Sequence, residues 1–561
     1  MIRVQYLDYP EGAQDAAVFS ATGGQSWTTP ESLRSGAAAA KAYATFEKNC
    51  WKLDGSRVLL PDPPAPINAG WWSSSVSDEQ AAFSTPPRVV VSFPAPITAT
   101  GLTFVFSPET EQYAATVQVR WYFDQQLLSD VTANPDATQW VLSNTVEDFN
   151  RVVIDFVKTN KPQQFLKLQQ LLVGQTTVLD YRELESVNLV TEVDPTGSQL
   201  PVDTLGLRIR DLHNRQLVPQ DNQIMELYND DTLIAHHYIQ QATREGPGTY
   251  KIDCSSMVGL LEDAFLGGIY SSLPVTELLN AIVGIDRYEI DPQLSTKTLS
   301  GYLPTCTKRE ALQQVLLAIC AVATTQGSKV LQIQLPATAA TNPITVSQIM
   351  PGAELQTDAR VARLDVTAHQ YTATDTEEVL IQDEAINGSN VLYTFNEPHH
   401  SYTITGGTLT ESGPNFVRIT ANGNVKLTAK AYQHTMQVLS KTNPRAKTSE
   451  SANVVTVEDA TLVTAQNVDE VLTRLYDVYL LRSTVTEDIV LGEQQAGEMT
   501  ITEKPWPGQL LGYITQIDAD YTRSGKTAKI TVLGRDVARS GVYGFAGDMF
   551  SGEEVLLCES L

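Results

Sequence analysis

QIMELYNDDTLIAHHYIQQATREGPGTYKIDCSSMVGLLEDAFLGGIY, residues 223–270, carries the strongest pattern in the chain. Apolar and polar residues alternate through 223–230, 232–246 and 248–255. A period of two over such lengths predicts strands with one buried face. Asn229-Asp230-Asp231 and Gly246-Pro247-Gly248 supply the turns between them, so a compact antiparallel barrel or sandwich is expected. Tyr250, Ile252 and Cys254 fall on one face of its last strand. Met257, Leu260, Leu261 and Phe265 then recur at helical spacing, which predicts a short helix covering that barrel. Gly267 and Gly268 read as structural residues that end this helix where a positive φ or a close backbone approach is needed.

The same stretch gathers Cys, Ser, Asp and two glycines, and each is tested for chemistry. Ser255 lacks the flanking glycines of the G-x-S-x-G elbow. No phosphate-loop lysine follows Gly267-Gly268. His236 and His237 are adjacent in a strand, so they point to opposite faces, one exposed and one packed, and do not simply share a metal. Glu397-Pro398-His399-His400 has ligand-capable residue types but no further ligand at a recognisable spacing; it reads as a polar loop, with metal binding as the alternative. The five cysteines, Cys50, Cys254, Cys306, Cys320 and Cys558, are scattered and never in C-x-x-C spacing, which argues against a disulfide framework or structural zinc. With 65 acidic residues, paired carboxylates arise by chance and argue for no glycosidase. No catalytic residue, cofactor or metal is expected, and the chain is not read as an enzyme.

At 561 residues the chain is long enough for several domains, at roughly 100–200 residues each. Its formal net charge of -26 repels nucleic acid and anionic membranes. That excludes DNA recognition but not DNA as a passing cargo. The N-terminus has no basic stretch followed by an apolar one, so synthesis in the cytoplasm is expected. The longest apolar run, Val315 to Ala323, falls far short of the ~20 residues that span a bilayer.

Aromatic residues crowd the first section, and short β-branched segments at 88–93, 102–107, 115–123, 138–143, 150–157 and 165–174 read as strands of a β-sandwich or jelly roll. FEKNCWKLDG (46–55), GLTFVFS (101–107) and VVIDFVKTNKPQQFLKLQQLLVG (152–174) make residues 40–175 resemble discoidin-like, galactose-binding-type jelly rolls. Trp71, Trp72 and Tyr113 either stack on sugar faces as a glycan site, or fill the sandwich core or pack on a partner subunit. The glycan reading makes the chain a carbohydrate-binding or receptor-binding surface protein acting through this domain.

Further along, Thr307 and Glu310 form a capping-box signature ahead of an apolar helix, and residues 465–483 read as an amphipathic helix. Residues 361–381 read as a long alternating hairpin. Asn387-Gly388 and Asn422-Gly423 are hairpin-turn signals.

VNLVTEVDP together with residues 223–270 is similar to hub proteins at the tail tip or baseplate of tailed bacteriophages and phage-derived tails, and PVTELLNAIVG (274–284) continues the match. The resemblance is specific over residues 180–285 and looser to the C-terminus. It implies a mainly β, multidomain chain: an N-terminal β-sandwich (1–175), a first tube-like β-barrel (176–270), an α/β module (271–345), a second tube-like barrel with a hairpin insertion (346–450) and a C-terminal α+β module (451–561). It also implies a homotrimer in the virion tail tip, assembled in the bacterial host cytoplasm. The implied partners are a distal tail or tail tube protein, the tape-measure protein, a central tip or fibre protein, DNA as cargo and, through the sandwich, a host surface glycan.

Overall fold

The alternation at 223–255 becomes the centre of a twelve-stranded sheet. In the computed structural model, residues 2–537 are described except 11, 27, 35–42, 46, 48–54, 56, 58–69, 175, 214–216, 218, 504–507 and 523–524. The class is mainly β and multidomain. Across the large sheet, a first run of strands reads Thr176–Asp180, Ile2–Pro10, Gln223–Asn229, Thr232–Gly246, Thr249–Ser255, Thr204–Arg210 and Leu184–Glu192. The second run continues from its last member: Gln509–Thr522, Gly525–Val537, Ser483–Val490 and Glu354–Thr357, with Met499–Glu503 also on Gln509–Thr522. Val187, Leu207 and Ile252 of the first run share one core with Ile514, Ile530 and Val532 of the second. Tyr250, Ile252 and Cys254 face that core as expected. The turns at Asp230 and Gly248 take φ of 54° and 71°.

The chain starts in this sheet and not in the sandwich. Val4 and Tyr6 alternate into the large core, and Tyr6 donates to Gln223 Oε1 at 2.6 Å. Strand Ile2–Pro10 pairs on its other side with Thr176–Asp180, with Leu7 opposite Thr176. The sandwich is therefore an insertion whose two ends lie side by side.

Within it, segments read as separate strands fuse. Arg88–Phe106 runs through Pro94 and Pro96, where the register slips between Ser92 and Gly101. Proline cannot donate to a ladder, and the irregular stretch is where it is tolerated. One end of this strand pairs with Val18–Thr22 and the other with Lys167–Val173, so a single seven-stranded sheet supplies both layers around Phe104, Phe149, Phe156 and Trp121. Most of FEKNCWKLDG lies outside the described residues.

The expected helix after Cys254 is a single 3-10 turn, Met257–Leu260. It stops because the carbonyls of Leu261 and Asp263 accept from the backbone amides of Arg309 and Lys308 at 2.9 Å each, and Ala264–Phe265 pairs with Cys306–Thr307. Met257 and Leu261 join the core of the α/β module, with helices Val275–Ile282 and Lys308–Ile319. The capping box forms: Glu310 N donates to Thr307 Oγ1 at 3.2 Å, and Thr307 N to Glu310 Oε2 at 2.8 Å.

Residues 363–442 do not enter the large sheet. Arg363–Thr394, His399–Gly413 and Phe416–Thr442 form an arm whose sheet is completed to four strands by Val454–Val457, parallel to the start of Arg363–Thr394, and which has its own small core of Ile381, Ile386, Val417, Ile419, Val425 and Leu427. The two long strands consume each other's ladder. The second run instead draws on strands of clean alternation, such as Ser483–Val490, from the segment read as the C-terminal module. The two Asn-Gly pairs make no turn. Asn387 faces Asn422 across the ladder, and neither asparagine takes the positive φ that a two-residue Asn-Gly turn demands. The turns fall at 395–398 and at Pro414-Asn415.

Candidate functional site

The opening stretch meets the arm at Leu266-Gly267. Asn415, fully buried in the arm's tight turn, donates through Nδ2 to the carbonyls of Leu266 at 2.9 Å and Leu303 at 2.7 Å. Gly267 sits beneath it with φ of 68°. A Cβ there would lie 2.2 Å from Leu303 O, 2.6 Å from Asn415 Nδ2 and 2.6 Å from Pro304 O. At Gly268 the nearest atoms to a Cβ are those of the Tyr270 ring at 3.5 Å, ordinary contact. The close approach is thus required at Gly267, and it serves the docking of the arm.

Beside this latch a column of rings joins arm and α/β module. Tyr302 packs on Tyr371 with centroids 4.8 Å apart, Tyr371 stacks on His434 at 4.3 Å, and His434 Nε2 lies 2.9 Å from His369 Nδ1. Tyr302 also donates to Asn396 O at 3.3 Å. Burial pushes the Tyr371 hydroxyl up to about 12. Burial, then the neighbouring His434, lowers His369. These residues are far apart in sequence and meet only through the arm's register, with Tyr371 opposite His434. No local motif announces them; the only sequence signal was the Pro414-Asn415 pair between alternating segments.

The second feature is the seam between the two runs of the large sheet. Leu184–Glu192 and Gln509–Thr522 are antiparallel from Asn188 opposite Asp520 to Glu192 opposite Gln516. Asn188 Nδ2 donates to Asp518 Oδ1 at 2.7 Å and to Asp520 Oδ1 at 3.1 Å, and Gln516 donates to Glu192. A cleft of about 480 Å³ lies along it, lined by Thr191, Asn229, Ile234, Gln326, Gln494 and Tyr521 among others.

The residues considered for sugar contact are placed differently from a binding platform. Trp71 and Trp72 are 1% and 4% exposed, and Tyr113 packs against the sandwich core. A buried ring presents no face to a sugar, so the reading of Trp71 and Trp72 as stacking platforms is corrected to core and near-core packing. Trp72 instead receives the Lys167 ammonium at 4.3 Å from its ring centre. That ammonium reaches Glu47 Oε2 at 2.7 Å.

The histidine pair also departs from expectation, since both rings are buried. The reason is that strand Thr232–Gly246 lies between two cores: Ala235 and Ile239 face one, Tyr238 the other. His236 bonds Glu226 Oε1 at 2.8 Å. Burial acts to raise the Glu226 carboxyl, but bonds from His236, Lys329 and Tyr228 outweigh it and bring the pKa to about 2. His237 is 1% exposed, and among the described residues neither of its ring nitrogens has a hydrogen-bond partner.

Burial, then the neighbouring His236, lowers His237 to about 3. An unfolded histidine titrates near 6.5, so only the unfolded chain takes up this proton between those values. Stability from this residue is complete above pH ~6.5 and is lost as pH falls toward ~3. Between pH 7 and 5 the loss should be about 2 kcal/mol. Chemical denaturation of His237→Phe beside the unsubstituted chain at both pH values checks it: the variant should lose about 2 kcal/mol less, and equal slopes would reject the argument.

His399 Nε2 bonds Glu378 Oε2 at 3.1 Å and His400 Nε2 bonds Thr374 O at 3.1 Å. Among the described residues no three His, Cys, Asp or Glu side chains gather as a metal-binding group. The Cys254 thiol is pushed up by burial, and the neighbouring Ser255 Oγ has no hydrogen-bond partner among the described residues. No helix among the described residues is long and apolar enough to cross a membrane.

No family model and no curated protein matches this chain. Among solved structures, it is similar to the 43 kDa tail protein of prophage MuSo2 from Shewanella oneidensis, at 9% identity and a TM-score of 0.39, over 64% of this chain and 95% of the other. A tail protein from Neisseria meningitidis MC58 is similar at 10% identity and 0.39, over 64% and 94%. Prophage tail protein gp18 from Listeria monocytogenes EGD-e is similar at 11% and 0.37, over 64% and 91%.

Proposed function

We propose that this chain is a structural, non-enzymatic component of a phage-type tail, acting as a homotrimeric hub at the tail tip. What supports the reading, beside the hub-like pattern of residues 180–285, is the seam. Each copy holds two sheet runs joined edge to edge by main-chain pairing of Leu184–Glu192 with Gln509–Thr522. Three copies bring six such runs around one axis, the number needed to continue a six-fold tube.

In this reading the hub joins the tube or distal tail ring to a central tip or fibre protein, meets the end of the tape-measure protein and surrounds the DNA exit path. The net charge of -26 suits a lumen along which phosphate must slide without sticking. The mechanism is mechanical: closed and open states differ in contacts between subunits, and receptor engagement shifts the balance between them. No cofactor is needed. Light scattering and negative-stain imaging of the purified chain test it. Three-fold rings with a central opening are expected; a chain that stays monomeric at high concentration overturns the reading.

A further inference from the structure

The arm leaves one strand position vacant. From Arg363 opposite Thr442 to Ala373 opposite Tyr432 its two long strands pair without a register slip. The third strand covers the other flank of Phe416–Thr442 only as far as Ala431, opposite His399. Among the described residues no strand pairs with the outer flank of 432–442. One end of this gap is marked by His400, edge-on to the Tyr432 ring at 4.9 Å. At the other, the Tyr476 hydroxyl donates to Thr442 O at 3.3 Å. Between them lies room for a strand of about 35 Å.

Folded proteins guard such edges with charge, proline, bulges or shortness. Three other free edges among the described residues follow that rule. Glu354–Thr357 is four residues long; His399–Gly413 has three register slips; Gln126–Ala133 carries Asp130 and a slip. Gln433 to Ser440, QHTMQVLS, has no carboxylate, lysine, arginine, proline or glycine, and Met436 and Val438 are 66% and 58% exposed. This is the composition of a strand built to be paired.

We propose that residues 432–442 are the edge through which one copy of this chain receives a strand of the next. This rests on the trimeric reading above and names the surface that makes it. Two considerations select a second copy as the occupant. A chain of net charge -26 repels its own copies over most of its surface, and residues 433–440, which carry no carboxylate, lysine or arginine, are where two of them can approach. The fold also already joins its two sheet runs by edge-to-edge addition at the seam, so the same device repeated between copies requires no new kind of contact. Main-chain bonds supply the affinity, and His434, Met436 and Val438 flank the incoming strand on one face.

The test uses the full chain, with Met436→Glu/Val438→Glu as a variant whose side chains are already in solvent, and Gln437→Pro as a second that blocks the backbone. Light scattering gives the mass, and circular dichroism checks the fold. Amide hydrogen exchange reads protection at 433–441. The unsubstituted chain should be three copies with slow exchange at 433–441; the glutamate variant should be folded and associate at least a hundredfold more weakly, with fast exchange there. If both chains are trimers with fast exchange at 433–441, the edge proposal is overturned and the hub reading stands. An unsubstituted chain that remains a single copy overturns both.

Discussion

Replacing Lys167 by methionine should cost the folded sandwich about 3–5 kcal/mol. The Lys167 ammonium and the Glu47 carboxylate are 1% and 0% exposed and 2.7 Å apart. Glu47 is also the acceptor for Gln112 Nε2 at 2.8 Å and for the backbone N–H of Phe165 at 2.7 Å. Methionine keeps most of the stem's packing and removes only the charge, leaving a carboxylate in an apolar interior with neutral donors alone. Stranding one member of a buried pair costs far more than the pair itself is worth. Lys167→Met/Glu47→Gln should therefore recover most of the loss. Urea unfolding followed by tryptophan fluorescence reports on it, because the Trp72 ring lies against the Lys167 ammonium. A single variant within ~1 kcal/mol of the unsubstituted chain, or a double variant no better than the single, would show that the buried charge of Glu47 is not what Lys167 offsets.

This pair also marks how far the sequence can be read. Glu47 and Lys167 stand in two of the segments that made residues 40–175 resemble a jelly roll, so the pattern was visible while the bond between its parts was not. Period-two alternation identified the strands within 223–255, because the face a strand buries is written in its own residues. The partner of a strand is not. Nothing local says that Ile2–Pro10 closes the large sheet, that Ser483–Val490 and Gly525–Val537 form its second run, or that Asn387 and Asn422 face each other in a ladder. The capping box was legible for the opposite reason, since Thr307 and Glu310 satisfy each other within one turn. Buried histidines were misread because adjacency in a strand predicts opposite faces, and here both faces are covered.

The second large effect is expected at Gly267. A non-glycine residue at φ of 68° pays for the left-handed backbone, about 1–3 kcal/mol. Its Cβ would also stand 2.2 Å from a backbone carbonyl, Leu303 O, which cannot rotate away as a side chain would. Gly267→Ala should therefore destabilise by about 3 kcal/mol or more, while Gly268→Ala, at φ of 159° but only in ordinary contact with Tyr270, should cost no more than its backbone strain, about 1–3 kcal/mol. The loss should appear first as undocking of the arm: faster amide exchange at 395–415 with the large sheet still protected. Asn415→Ala removes one of the two further atoms that a Cβ at 267 would strike, leaving Pro304 O, so Gly267→Ala should cost about 1 kcal/mol less in that background than alone. Equal costs at 267 and 268 would mean that the close approach is not the constraint. A loss spread evenly over the chain would mean that Gly267 serves folding of the α/β module and not the docking of the arm against it.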